Sequence, residues 1–377
     1  MDYTQKFNEL KSVFNPDSDK ISIPGSDIRI INLKFICDTE KVDIFNKNDI
    51  VFSENTAFTY PVFIPADTGS KKVILLLHGL NERSWIKYLV WAYYLSLYTE
   101  SYVILFPISF HMNRSPESWK DPRAMMGFLN ERRLAYGKID MASIANIALS
   151  NRLTEDPRRF FSSGYQTVLD IVKLLKLIKS GKHEIVPGES KVNVFAYSIG
   201  AFLAQIIFMG NPESLFTNSK LFMFCGGSVF SNMYGTSKLI MDNLAYEKVY
   251  NYYMNDFENE TRGKNQLVEF LKSSRIGMAF RSMIDLSRLK KFRENALKEL
   301  RDQTHAIALL KDIVIPPKGI METLNNNILG KSQPVELWDF PYPYSHENPF
   351  PVFDSDLRQA VDSSFERVFS SAVSFLK

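Results

Sequence analysis

VNVFAYSIGAFLAQ, Val192 to Gln205, decides how the rest of this chain is read. The apolar run Val192–Phe195 predicts a strand, and a helix-like run follows from Ile199. Between them lies Ala196-Tyr197-Ser198-Ile199-Gly200. A nucleophile on a sharp strand-to-helix turn has its Oγ raised above the sheet. The turn crowds the backbone, so only small residues fit two places to either side, most often as G-x-S-x-G. Ala196 meets that demand in place of the first glycine. Ser198 also begins a helix, where free N–H groups and the helix dipole favour developing negative charge. The same five residues fit a plain serine N-cap on a buried helix, so the surrounding pattern has to decide.

Working outward, Val73–Leu77 (VILLL) and Tyr102–Phe106 (YVILF) are short continuous apolar runs, as expected of strands covered on both faces. Leu221–Phe224, Ala306–Leu310 and Val335–Trp338 extend the series. Helical patterns occupy Ser84–Thr99, Thr167–Ser180, the stretch from Ile199, and Asp354–Leu376. Short apolar strands alternating with helices predict an α/β fold, a mostly parallel central sheet with helices on both faces. Ile28–Ile36 and Ala57–Pro65, after an amphipathic N-terminal helix, suit antiparallel strands at the start of that sheet. The whole chain, 1–377, reads as one domain with two excess stretches. About 84 residues separate Pro107 from Val192, where a crossover needs roughly a dozen. The excess, residues 111–160, is an insertion after the fourth core strand. Residues 231–301 form a second, helical insertion. Together they are expected to cap a pocket.

Bulk properties exclude several classes. The chain is 45% hydrophobic and 23% charged, and its net charge of +3 is too small to argue for nucleic acid or an anionic membrane. No apolar run approaches the roughly 18 residues of a spanning helix. MDYTQKFNELKSVF carries charges throughout and does not read as a signal peptide, so a cytoplasmic protein is expected. Two cysteines make no disulfide framework, and Cys225 and His183 show no metal-ligand spacing, so no metal and no cofactor are expected.

Three further segments bear on Ser198. Leu77-His78-Gly79-Leu80-Asn81 follows the VILLL strand, and such a turn can aim the Leu80 N–H at a substrate oxyanion, with the Ile199 N–H as second donor. His78 then holds the turn; its use as the catalytic base is the rival assignment. Asp312 follows an apolar strand and precedes a Pro pair, where it can accept the Nδ1 proton of a histidine or simply form a turn. His346 lies in an aromatic, Pro-rich loop after the last strand, the only one of five histidines so placed. Asp242, Asp302 and Asp339 are alternatives to Asp312.

Through LLLHGLN, AYSIG, KDIVIPP and the late His346, the sequence resembles the α/β-hydrolase superfamily over roughly Ile28–Lys377. It also resembles a bacterial group within it, to which no substrate is attached, through FPISFHMNRSP, FAYSIGAFLAQ and SHENPFP. The resemblance implies the α/β-hydrolase fold and a triad of Ser198, Asp312 and His346, in the Ser…Asp…His order of that superfamily. The expected reaction is cleavage of a carboxylic ester, thioester or amide through an acyl-enzyme on Ser198. Acyl transfer to another acceptor, or binding without turnover on the same scaffold, are the alternatives. The partner is expected to be a small acyl compound. Tyr197 and Trp119 are candidates for its pocket, His111 borders the site, and Arg114 is a candidate for a substrate anion. The basic run Arg288–Arg293 reads as a solvated helix face.

Overall fold

The computed structural model describes residues 1–38, 52–263, 266–324, 335–353 and 356–377. Among the described residues nine strands form one sheet: β1 (Lys20–Ser22), β2 (Arg29–Ile36), β3 (Ala57–Ile64), β4 (Lys72–Leu77), β5 (Tyr102–Leu105), β6 (Lys191–Tyr197), β7 (Leu221–Phe224), β8 (Thr304–Leu309) and β9 (Val335–Trp338). Their order is β1-β2-β3-β5-β4-β6-β7-β8-β9. The first three strands are antiparallel to their neighbours, and β4 to β9 pair in parallel. This is the α/β-hydrolase fold expected from the sequence.

The continuous apolar strands are buried on both faces because their side chains alternate between two cores. On β4, Val73, Leu75 and Leu77 join one core, and Ile74 and Leu76 the other. On β6, Val192, Val194 and Ala196 face the first, and Phe195 and Tyr197 the second. Helices Arg159–Lys179 and Ile199–Gly210 cover the first face; Tyr3–Val13, Ile86–Thr99 and Arg358–Leu376 cover the second.

Some boundaries moved. The three-residue β1 was not anticipated, because it is too short for an alternation pattern to register. The excess stretch after Tyr102–Leu105 therefore follows the fifth strand, not the fourth. The helix predicted from Thr167 begins at Arg159. Its first turns contain Gly164 and no clean apolar period, and Phe161 is held by Phe280, with ring centroids 4.5 Å apart. The last helix starts at Arg358, and Asp354 lies outside the described residues. Arg288–Arg293 is not wholly a solvated face. Arg293 is buried, and its guanidinium donates to the carbonyl oxygens of Ser282 (2.6 Å) and Asp285 (3.0 Å), tying together the chain just before its own helix.

The two excess stretches pack on each other. Buried Arg132 in helix Pro122–Tyr136 donates from Nε to Asp242 Oδ2 at 2.7 Å. Asp242 in turn caps helix Asn243–Asn251 through the Ala245 N–H at 2.9 Å. Asn146 Nδ2 donates to the Ser237 carbonyl (2.8 Å), and Ser143 Oγ to that of Lys238 (2.5 Å). Among the described residues no helix is long and apolar enough to cross a membrane.

Candidate active site

Ser198 stands between the end of β6 and the start of helix Ile199–Gly210 with φ 58° and ψ −125°, a conformation a side-chain-bearing residue rarely adopts. The neighbourhood enforces it. A Cβ at Gly200 would lie 2.7 Å from the Leu77 carbonyl oxygen and 2.8 Å from that of His78. Ala196 is fully buried between β4 and β7. A further small position escaped the sequence reading: a Cβ at Gly226 would sit 2.5 Å from Ala201 Cβ and 2.8 Å from the Ser198 carbonyl oxygen. The pair Gly226-Gly227, one residue past the LFMF strand, was its only signal.

Ser198, Asp312 and His346 come together although 148 residues separate the serine from the histidine. Ser198 Oγ lies 2.6 Å from His346 Nε2, and His346 Nδ1 lies 2.7 Å from Asp312 Oδ2. All three are at most 4% exposed. A carboxylate only accepts, so Nδ1 carries the proton and Nε2 presents its lone pair to the serine hydroxyl. Asp312 is aimed by its other oxygen, which accepts from the N–H groups of Val314 and Ile315, each at 2.9 Å. The alternative aspartates are engaged elsewhere or apart: Asp242 binds Arg132, Asp339 lies 3.0 Å from Lys311 Nζ, and Asp302 sits in a one-turn helix before β8.

Tyr197 lines neither of the hollows near Ser198. It is fully buried in the second core, with its ring nearly parallel to that of His346 at 5.6 Å, and its hydroxyl donates to the His346 carbonyl. Burial pushes its phenol well above the usual range, so it remains a donor. It steadies the histidine loop from below.

His78 is fully buried and holds the turn. Its Nε2 accepts from the Ile108 N–H at 2.9 Å, so its Nδ1 carries the proton and donates to the Gly79 carbonyl at 2.8 Å. Burial holds its pKa well below the ordinary value. The Gly79 N–H is taken by the Tyr88 hydroxyl at 3.0 Å, whereas the N–H groups of Leu80 and Ile199 donate to no described residue. Asn81 ties this turn to both excess stretches, donating to the carbonyls of Ala145 (2.9 Å) and Leu239 (2.7 Å).

Arg114 is not available to a substrate anion in this arrangement. It is completely buried, 2.8 Å from Asp170, and donates to the carbonyls of Asn55 and Pro107. Sequence reasoning missed Asp170 because it sits within the amphipathic helix, where an acidic residue reads as solvent-facing. Trp119 stands in a satellite cluster with Met125 and Leu129, its ring 6.1 Å from that of Phe110. His111 is buried at the edge of a hollow, with Nδ1 2.9 Å from the Ser109 carbonyl. Cys225 is buried and its thiol is pushed well above the ordinary range by desolvation, so it is no nucleophile.

Ser198 lines one hollow, and a second adjoins it at the neighbouring Ile199. Leu80, Phe160 and Ile199 belong to both. The first runs between helices Arg159–Lys179 and Ile199–Gly210, and the second includes Ser198, Val314 and Ile315.

A family model described as a family of unknown function (DUF6051) matches residues 37–377. No curated protein matches the sequence. Similar solved structures include the Pyrococcus furiosus esterase Pf2001, at 12% identity over 90% of this chain and 92% of that one, with a TM-score of 0.40. The carboxylesterase EstE1, cloned from a metagenomic library, is 12% identical over 100% and 95%, with a TM-score of 0.43. The Pyrococcus horikoshii acylaminoacyl peptidase is 10% identical over 92% of this chain and 41% of its own, with a TM-score of 0.41.

Proposed function

This chain belongs to the DUF6051 family, a family of unknown function, and from its own site we propose that it is a serine hydrolase acting on a carboxylic ester or a related acyl compound. The observation that carries the reading is the hydrogen-bonded line from Ser198 Oγ through His346 to Asp312, with spacings of 2.6 and 2.7 Å.

In this reading Ser198 Oγ attacks the acyl carbon while its proton passes to His346 Nε2. Asp312 holds the imidazole in the accepting tautomer and stabilises the imidazolium. The oxygen that becomes negative is met by the N–H groups of Leu80 and Ile199, at the start of a helix whose dipole favours the charge. His346 then hands its proton to the leaving group. Water, deprotonated by the same imidazole, releases the acyl group and restores Ser198. Residues 111–160 and 231–301 act as a roof over this site, limiting water and shaping the substrate.

A fluorophosphonate probe tests the reading. Labelling is expected in the native chain and in Ser228→Ala, and absent in Ser198→Ala. Labelling that persists in folded Ser198→Ala overturns it.

A further inference from the structure

The two hollows beside Ser198 are not equivalent. Val314 and Ile315, whose N–H groups aim Asp312, line the second hollow, so it lies on the His346 side. A general acid must reach the leaving-group oxygen, which assigns this side to the leaving group. The first hollow lies across Phe160 from it and falls to the acyl chain. Leu149, Leu153, Phe202, Leu203 and Ile206 make it largely apolar.

The ring of His111 lines this hollow and carries a nitrogen with no hydrogen-bond partner among the described residues. His111 is 5% exposed and donates from Nδ1 to the Ser109 carbonyl, so Nε2 carries the lone pair. That Nε2 is buried and accepts from no described residue. Ser109 Oγ bonds Asn55 and Gln166, Arg152 donates to Ser163 Oγ and stacks 3.5 Å from the Phe110 ring centre, and Arg159 is paired with Glu155. A buried acceptor without a donor is a desolvation cost left unpaid, which a donor arriving with the substrate would remove. A hydroxyl is the smallest group that supplies one donor without bringing a larger polar group into an apolar chamber.

We propose that the acyl half of the substrate is an aliphatic chain bearing a hydroxyl, and that His111 Nε2 accepts its hydrogen bond and sets this specificity. Burial holds the His111 pKa at about 4, with the guanidinium groups of Arg152, Arg114 and Arg83 opposing its charge. Nε2 therefore stays an acceptor at neutral pH.

The proposal rests on acylation of Ser198, and its test separates the two. Methyl octanoate and its isomers hydroxylated at C3 through C8 are compared by pH-stat in the native chain, His111→Phe and His111→Gln. One isomer is expected to exceed methyl octanoate in kcat/KM by about tenfold, chiefly through KM. That advantage should vanish in His111→Phe and return partly in His111→Gln, which restores an acceptor. No favoured isomer in the native chain overturns the proposal, whatever the variants do. So does an advantage that survives in His111→Phe, or a preference for monomethyl suberate, whose carboxylate would be read by the arginines instead. If fluorophosphonate labels Ser198 and methyl octanoate turns over without any hydroxyl preference, this inference alone fails. Absence of Ser198 labelling overturns both.

Discussion

Asp312 is surrounded by donors only: the His346 Nδ1–H at one oxygen and two backbone N–H groups at the other. An asparagine cannot satisfy both sides, because its NH₂ must face one of them. Facing His346, it forces the proton to Nε2 and removes the acceptor that the serine needs. Asp312→Asn is therefore expected to lower kcat on p-nitrophenyl esters by about 10⁴-fold. The shift in thermal midpoint should be small by comparison, and near-native turnover would remove Asp312 from the mechanism. Gly200→Ala acts through shape alone. Its Cβ would press on two carbonyl oxygens of the neighbouring turn at 2.7 and 2.8 Å. Overpacking of this kind costs about 1–3 kcal/mol, read as a lowered urea midpoint; an unshifted midpoint would mean that the turn yields freely. The meeting of Ser198, Asp312 and His346 was legible in the sequence because each follows a predicted strand and a parallel sheet collects such ends at one edge. Arg114 and Tyr197 were misread. Nothing in FHMNRSP shows that Asp170 waits 56 residues away, and alternation along β6 turns Tyr197 toward the core opposite the hollows.

The segment from Pro107 to Ser115 keeps its shape through Arg114, which reaches Pro107, Asn55 and Asp170 from a wholly buried position. Arg114→Met would leave Asp170 buried without its cation. Breaking one partner of such a pair costs about 3–5 kcal/mol, so the variant should unfold at markedly lower urea while showing no selective loss on anionic over neutral esters. A selective loss on anionic esters with full stability would restore Arg114 as a substrate contact. The helix ending at Lys179 shows where patterns stop informing. Its second half has a clear apolar period, but its first turns are helical because Phe161 and Tyr165 pack on Phe280 and Phe270 of the other excess stretch. Arg293 was taken for a surface residue on the strength of its lysine neighbours. Lys290 and Lys291 are indeed exposed, while Arg293 turns inward to cap carbonyls.

Three buried histidines, His78, His111 and His183, couple the stability of the molecule to pH. His183 accepts the N–H groups of Ile185 and Val186 at Nδ1, so protonation there would set donor against donor; His78 Nε2 faces the Ile108 N–H in the same way. Burial holds His111 and His183 at about 4 and His78 well below the ordinary 6.5. Between those limits the unfolded chain binds protons that the folded chain refuses. Their contribution is complete above about pH 6.5 and is lost as pH falls toward 4, each histidine adding up to about 1.4 kcal/mol per pH unit. The urea midpoint should therefore drop steadily from pH 7 to 4.5, and a flat profile would mean that these imidazoles titrate in the fold as they do in the unfolded chain. The layered α/β architecture, the positions of most strands and the order serine, aspartate, histidine could all be read from residue order. Such features are local: a run of apolar residues reports how its own segment is buried. The buried pairs Arg132–Asp242 and Arg114–Asp170, the tautomers of the histidines and the two hollows meeting at Phe160 could not. They exist only once segments tens to hundreds of residues apart exclude water together, because a partner distant along the chain leaves no mark on the local pattern.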